Sequence, residues 1–190
     1  MTESVEMTPD EMQRLESRFQ EGLQSLEQAD YDAAVEVFES IMEQGFKNGV
    51  LLSTYGNALK GLGRFAQAVE ASKEALALLP GNLKCTMNLG AAHLAAGDWE
   101  QAVSVYELAL ADHPAESEIH FNLGTAWLQG RELDKARAAL QRAVSFERSS
   151  FQAWMNLGAV RKLLGDFHGC REAYSTAVEL EPEDARAQWN

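Results

Sequence analysis

Gly22, Gly56, Gly90, Gly124 and Gly158 stand 34 residues apart. A spacing kept across five positions, with no insertion or deletion, restricts the chain to a stack of equal units. Three further columns keep the same step: Ala34, Ala68, Ala102, Ala136 and Cys170; Tyr31, Phe65, Trp99, Leu133 and Phe167; Ile41, Ala75, Ala109, Ala143 and Ala177. The chain of 190 residues divides into an acidic segment and the start of a capping helix over 1–14, and a repeat array over 15–184. The array divides as 15–48, 49–82, 83–116, 117–150 and 151–184, and the start of a sixth unit occupies 185–190.

Each unit reads as two helices. In the third, Thr86, Leu89, Gly90 and His93 follow one helical face, Gly97-Asp98 breaks the chain, and Trp99, Ala102, Val103, Tyr106, Ala109 and Leu110 form a second apolar stripe. Pro114 closes it, because the residue before a proline is pushed out of the helical region. The fourth unit departs, with Gly130-Arg131 and Arg148-Ser149-Ser150 at the two breaks. Nothing alternates with period two, so no strands are expected. A glycine inside a helix costs roughly 0.5–1 kcal/mol relative to alanine, so five imply a close helix approach. Alanine in the second helix is the matching small surface, and Phe38, Tyr106, Leu140 and Tyr174 are the large residues expected to fill the space between neighbouring units.

Composition narrows the function. Sixteen basic against 29 acidic side chains give a formal charge of −13, which lacks the basic footprint that nucleic-acid binding requires. Residues 1–48 hold 3 basic and 12 acidic side chains. Solubility accounts for that excess; an acidic docking surface is the alternative. No apolar run has the ~18–20 residues of a membrane span, and Met1 to Glu6 does not resemble a signal peptide. Cys85 and Cys170 lie in the third and fifth units, too far apart for a bridge within one chain. Cys170, in the alanine column, reads as a small buried apolar residue. A reduced, cytoplasmic setting is expected.

The pattern Trp154, Leu157-Gly158, Cys170, Tyr174, Ala177, Pro182, and likewise Leu89-Gly90, Ala102, Tyr106, Ala109, Pro114, resembles the tetratricopeptide repeat (TPR) over residues 15–184. The resemblance implies an all-α fold, a right-handed α-solenoid of stacked helix-turn-helix units. It also implies a concave groove, lined by the first helices, that holds a protein or peptide segment. The first unit departs at Glu21 and Ser25, and reads as a capping helix over 9–28 with Thr8 as N-cap, Pro9 in the first turn and Glu11 three residues after the cap. Residues 185–190 fall where another first helix starts. The expectation drawn from this is an N-terminal piece of a longer protein, or an open C-terminal face that pairs with a second copy as a homo-oligomer.

On the first helices, Gln20, Thr54, Asn88, Asn122 and Asn156 form one column, Phe19, Ser53, Met87, Phe121 and Met155 a second, and Leu23, Asn57, Ala91, Thr125 and Ala159 a third. An Asn side chain offers one acceptor and two donors, and so can pair with peptide backbone without reading its side chains. Asn88, Asn122 and Asn156 are therefore the candidate rungs, with Asn57, Thr125 and Lys84 beside them and Met87, Phe121 and Met155 as adaptable apolar contacts. The pattern is similar to the asparagine ladders of repeat domains in O-linked N-acetylglucosamine transferases and peroxisomal import receptors. The competing use is structural, with the amides bonding neighbouring helices. A carboxylate clamp of the chaperone-binding kind is not expected: only Asn57 and Asn88 match it, Ser53 replaces a lysine, and Glu118 repels an anion.

No catalytic set, metal site or cofactor is expected. His93, His113, His120 and His168 lack ligand spacing, and no glycine-rich phosphate loop follows a strand. The reading is a non-enzymatic interaction module. The alternatives are a substrate-recruiting arm of a larger glycosyltransferase- or sulfotransferase-type enzyme, and a self-assembling scaffold.

Overall fold

The computed structural model describes residues 8–181. The sixth-unit start at 185–190, the closing Pro182 and the first seven residues lie outside the described residues. Among the described residues ten helices follow one another: α1 (Pro9–Glu27), α2 (Tyr31–Glu43), α3 (Gly49–Gly61), α4 (Phe65–Leu78), α5 (Leu83–Ala96), α6 (Trp99–Asp112), α7 (Ser117–Gln129), α8 (Leu133–Phe146), α9 (Phe151–Leu163) and α10 (Phe167–Leu180). There is no strand among the described residues. The chain forms two compact units that divide between Ala96 and Gly97.

In the first unit, Thr8 caps α1 in both directions. Its Oγ1 accepts from the Glu11 amide at 3.3 Å, and its own amide donates to Glu11 Oε2 at 2.9 Å. The Thr8 amide, and then the Thr8 hydroxyl, which donates to Glu11 Oε2 at 2.8 Å, hold the Glu11 carboxyl below its ordinary pKa. Pro9 occupies the first turn, where its missing N–H costs nothing. Only Leu15 and Gly22 of α1 are buried. The α1–α2 pair closes where a methyl carbon on Gly22 would lie 2.5 Å from Phe38 Cε1. Phe38 is fully buried and its ring meets Phe19 at 5.8 Å, a placement worth about 1.5–3 kcal/mol for a side chain of this size. In the α3–α4 pair the same approach sets Gly56 against Ser72: a methyl carbon on Gly56 would lie 2.9 Å from Ser72 Oγ.

The second unit repeats the device. A methyl carbon on Gly124 would sit 2.6 Å from Leu140 Cγ, and one on Gly158 would sit 2.7 Å from Tyr174 Cε1. Leu140, Ala143, Ala153, Leu157 and Val160 form a cluster joining α8 to α9, with Trp127 and Trp154 packed against it. Across both units the alanine column is sealed: Ala34, Ala68, Ala102 and Ala136 are fully buried, and Cys170 at their equivalent position is 7% exposed. Cys85 and Cys170 are free, buried thiols.

The turns between paired helices share one backbone conformation. Gly63, Gly97 and Gly165 have φ of +74°, +88° and +78°, and at the equivalent positions Ala29 and Arg131 adopt +57° and +62°. The Gly130-Arg131 departure therefore does not alter the turn. It puts a side chain into the left-handed region that glycine enters more cheaply. Gly130 itself has an ordinary φ of −75°. It is small because Trp99 lies against it: a methyl carbon there would be 2.6 Å from Trp99 Cδ2.

Candidate functional site

The candidate residues sit on the first helix of each pair: Ser53 and Asn57 on α3, Lys84, Met87 and Asn88 on α5, Phe121, Asn122 and Thr125 on α7, and Met155 and Asn156 on α9. Within the first unit α3 and α5 are neighbours, and Asn88 Nδ2 donates to Ser53 Oγ at 2.7 Å. Within the second unit α7 and α9 are neighbours, and Asn156 Nδ2 donates to Thr125 Oγ1 at 3.3 Å. Thr125 passes its own proton to the Phe121 carbonyl at 3.0 Å. Two of the three amides thus tie adjacent first helices together, the structural use weighed in the sequence.

That use is incomplete. Each of these amides spends one N–H and keeps a second N–H and the carbonyl oxygen. Asn122 differs by register. The hydroxyls that receive Asn88 and Asn156 lie 35 and 31 residues earlier, and 35 and 31 residues before Asn122 stand Met87 and Ala91, which carry no hydroxyl. Asn57, Asn88, Asn122, Thr125 and Asn156 are all half-buried. Of the apolar column, Met87 is buried while Phe121 and Met155 keep exposed surface. Phe121 packs on the α8–α9 cluster and Met155 beside Phe151. Lys84 is exposed in the first turn of α5.

Two features were not legible beforehand. A cavity of about 290 Å³ opens in the first unit beside α1 and the start of α3, lined by Met12, Leu15, Phe19, Phe46, Val50 and Leu51 among others. Phe19 belonged to a candidate column; Met12 and Val50, both more than half exposed, did not. Its size is at the lower end for small-molecule pockets, enough for one or two side chains. The second feature is the pair Tyr55–Glu39: the Tyr55 hydroxyl donates to Glu39 Oε1 at 2.7 Å. Burial first, and then that carboxylate, push the Tyr55 phenol up to about 12. Lys60, one turn beyond Asn57, is pulled below its ordinary value by burial.

Among the described residues no three His, Cys, Asp or Glu side chains gather to hold a metal ion. His120 instead shares a proton with the Pro114 carbonyl at 2.9 Å and stacks on Phe146 with ring centroids 5.4 Å apart. No helix among the described residues is long and apolar enough to cross a membrane.

Models of the tetratricopeptide repeat match residues 59–108, 87–153 and 151–184. Among solved structures, a thermophilic TPR protein of Thermus thermophilus is 25% identical, with a TM-score of 0.77 over 92% of this chain and 95% of that one. MamA from Desulfovibrio magneticus, from residue 41 to its end, is 22% identical, with a TM-score of 0.75 over 90% and 97% of the two chains. A tetratricopeptide repeat protein from Parabacteroides merdae is 18% identical, with a TM-score of 0.74 over 92% of this chain and 70% of that one. No curated protein matches the chain significantly.

Proposed function

Because the chain belongs to the tetratricopeptide repeat family, we propose that it works as a protein-interaction module whose first-helix faces hold an extended polypeptide segment. The observation that carries this reading is the unspent hydrogen-bonding capacity of the asparagine column. Asn88 and Asn156 each retain a donor and an acceptor after bonding Ser53 and Thr125, and Asn122 has no hydroxyl in register to bond. A half-buried amide gains by pairing, and an extended backbone supplies donors and acceptors regularly along its length. Phe121 and Met155 add apolar surface beside the rungs. The module carries binding rather than chemistry in this reading.

The test is peptide selection by phage display against the purified chain, followed by affinity measurement on the enriched peptides. Asn88→Ala, Asn122→Ala and Asn156→Ala together are expected to weaken those peptides at least tenfold while helix content by circular dichroism holds. Equal affinity in the triple variant removes the asparagines from the mechanism.

A further inference from the structure

A second surface on the first unit lies where α2, α3 and α4 meet. A cavity of about 390 Å³ opens there, with Met42, Leu52, Leu59 and Ala71 in its wall and Glu70, Glu74 and Lys47 also lining it. Met42, Leu52, Leu59 and Ala71 are buried or half-buried and the charged members exposed, so the floor is apolar and the rim polar. Tyr55 also lines it, with its proton committed to Glu39 and its oxygen left as an acceptor.

The repeat supplies an internal comparison. Sixty-eight residues on, Leu59 corresponds to Trp127, Gln67 to Lys135, Glu70 to Ala138 and Glu74 to Arg142. In the second unit Lys135 Nζ sits 4.3 Å over the Trp127 ring and 3.4 Å from Glu132. That position is thus occupied by the chain's own lysine, with its charge over an apolar face. In the first unit the lysine is replaced by Gln67, and carboxylates stand where the second unit has alanine and arginine. A long cationic side chain suits such a place, since its stem covers apolar surface while its head stays at the polar edge.

We propose that the α2–α3–α4 groove receives a lysine or arginine side chain of a partner polypeptide, its stem on Leu52, Leu59 and Ala71 and its charge at Glu70 and Glu74. The groove is available because its present ion pairs are replaceable. Lys47–Glu74 at 2.5 Å and Lys73–Glu70 at 3.0 Å involve side chains that are about half or more exposed, and exposed pairs contribute little. The surrounding field favours the same occupant: residues 8–48 hold ten carboxylates and three cations, and α2 has no lysine or arginine. This surface is separate from the asparagine face, and either can fail without the other.

The probe is an acetylated, amidated hexapeptide alternating leucine and lysine, with a leucine–glutamate counterpart as control, titrated into the isotopically labelled chain and followed by amide NMR shifts. The expected result is saturable shifts centred on Tyr55, Gln67, Glu70 and Ala71 with the lysine peptide alone. Gln67→Lys, which installs the second unit's own occupant, weakens it at least fivefold, and the double variant Glu70→Ala with Glu74→Arg does the same. Having both variants protects the test against one failing to fold, and a dispersed spectrum checks each. The proposal is overturned by absent shifts, by equal binding of the control peptide, by equal shifts at Ala138 and Ala139, or by affinity unchanged in both variants. Loss of binding only in the triple asparagine variant assigns the peptide to the first-helix face and likewise overturns it.

Discussion

Gly124 of α7 faces Leu140 of α8 so closely that one added carbon would lie 2.6 Å from Leu140 Cγ and 3.3 Å from the Leu140 amide nitrogen. Leu140 is fully buried within the α8–α9 cluster and has no free volume to retreat into. Gly124→Ala therefore costs about 1–3 kcal/mol by overpacking, read as a lower denaturation midpoint at unchanged slope. When it is paired with Leu140→Ala, the total loss is smaller than the sum of the two single losses, because the two changes act on the same space.

The shared left-handed turn makes a prediction of opposite sign. Ala29 and Arg131 hold φ of +57° and +62° where the other three units have glycine. Ala29→Gly and Arg131→Gly each relieve a strain of roughly 1–2 kcal/mol and return part of it as unfolded-chain entropy. The net gain is about 0.5–1 kcal/mol per site. A thermal midpoint that does not rise in either variant contradicts this account.

The asparagine rungs are expected to separate by role. Asn88→Ala removes a donor from Ser53 and costs about 0.5–1.5 kcal/mol of stability as well as peptide affinity. Asn122→Ala, with no hydroxyl in register, stays within about 0.5 kcal/mol of the parent and loses affinity alone. Urea denaturation beside a binding isotherm for each single variant reads both quantities.

Tyr55 predicts a dependence on alkaline pH. The fold keeps the phenol protonated to about 12, whereas an unfolded tyrosine releases its proton near about 10. Between those values the unfolded chain binds fewer protons than the folded one, so stability falls as pH rises through the window. Tyr55→Phe removes this group's share of the fall. Its midpoint is to converge with that of the parent chain between pH 10 and 12, measured by guanidinium titration.

Thr8→Ala removes the side-chain half of the α1 cap, keeps the backbone donor to Glu11, and costs about 1 kcal/mol in the stability of the first helix. The Glu11 carboxyl, held low first by the residue-8 amide and then by the Thr8 hydroxyl, is expected to move part of the way toward its ordinary value as the hydroxyl bond is lost. A side-chain carbon shift followed against pH detects that return, and an unmoved titration contradicts the assignment.

Much of this molecule was legible in one dimension. Gly22, Gly124 and Gly158, together with the alanine column, announced the helix pairs, because close helix approach requires small residues at fixed spacing wherever it occurs. Thr8, Pro9 and Glu11 announced the first helix, because capping is local chemistry between residues three apart. The role of Gly130 was not legible. It could be read as a displaced turn glycine, whereas it makes room for Trp99 from a different helix. Nor did the asparagine column disclose that Asn88 would spend a donor on Ser53 and Asn156 one on Thr125.

The order of elements, the cap of α1 and the buried stripes were legible in the sequence alone, since each depends on residues within a few positions or on a strict period. Which half-buried amide is bonded, whether a groove is filled as by Lys135 or open as beside Gln67, and which hydroxyl Glu39 receives were decided only by the tertiary structure. Those contacts join side chains 8 to 35 residues apart, on different helices, and their geometry follows from how one helix packs on the next.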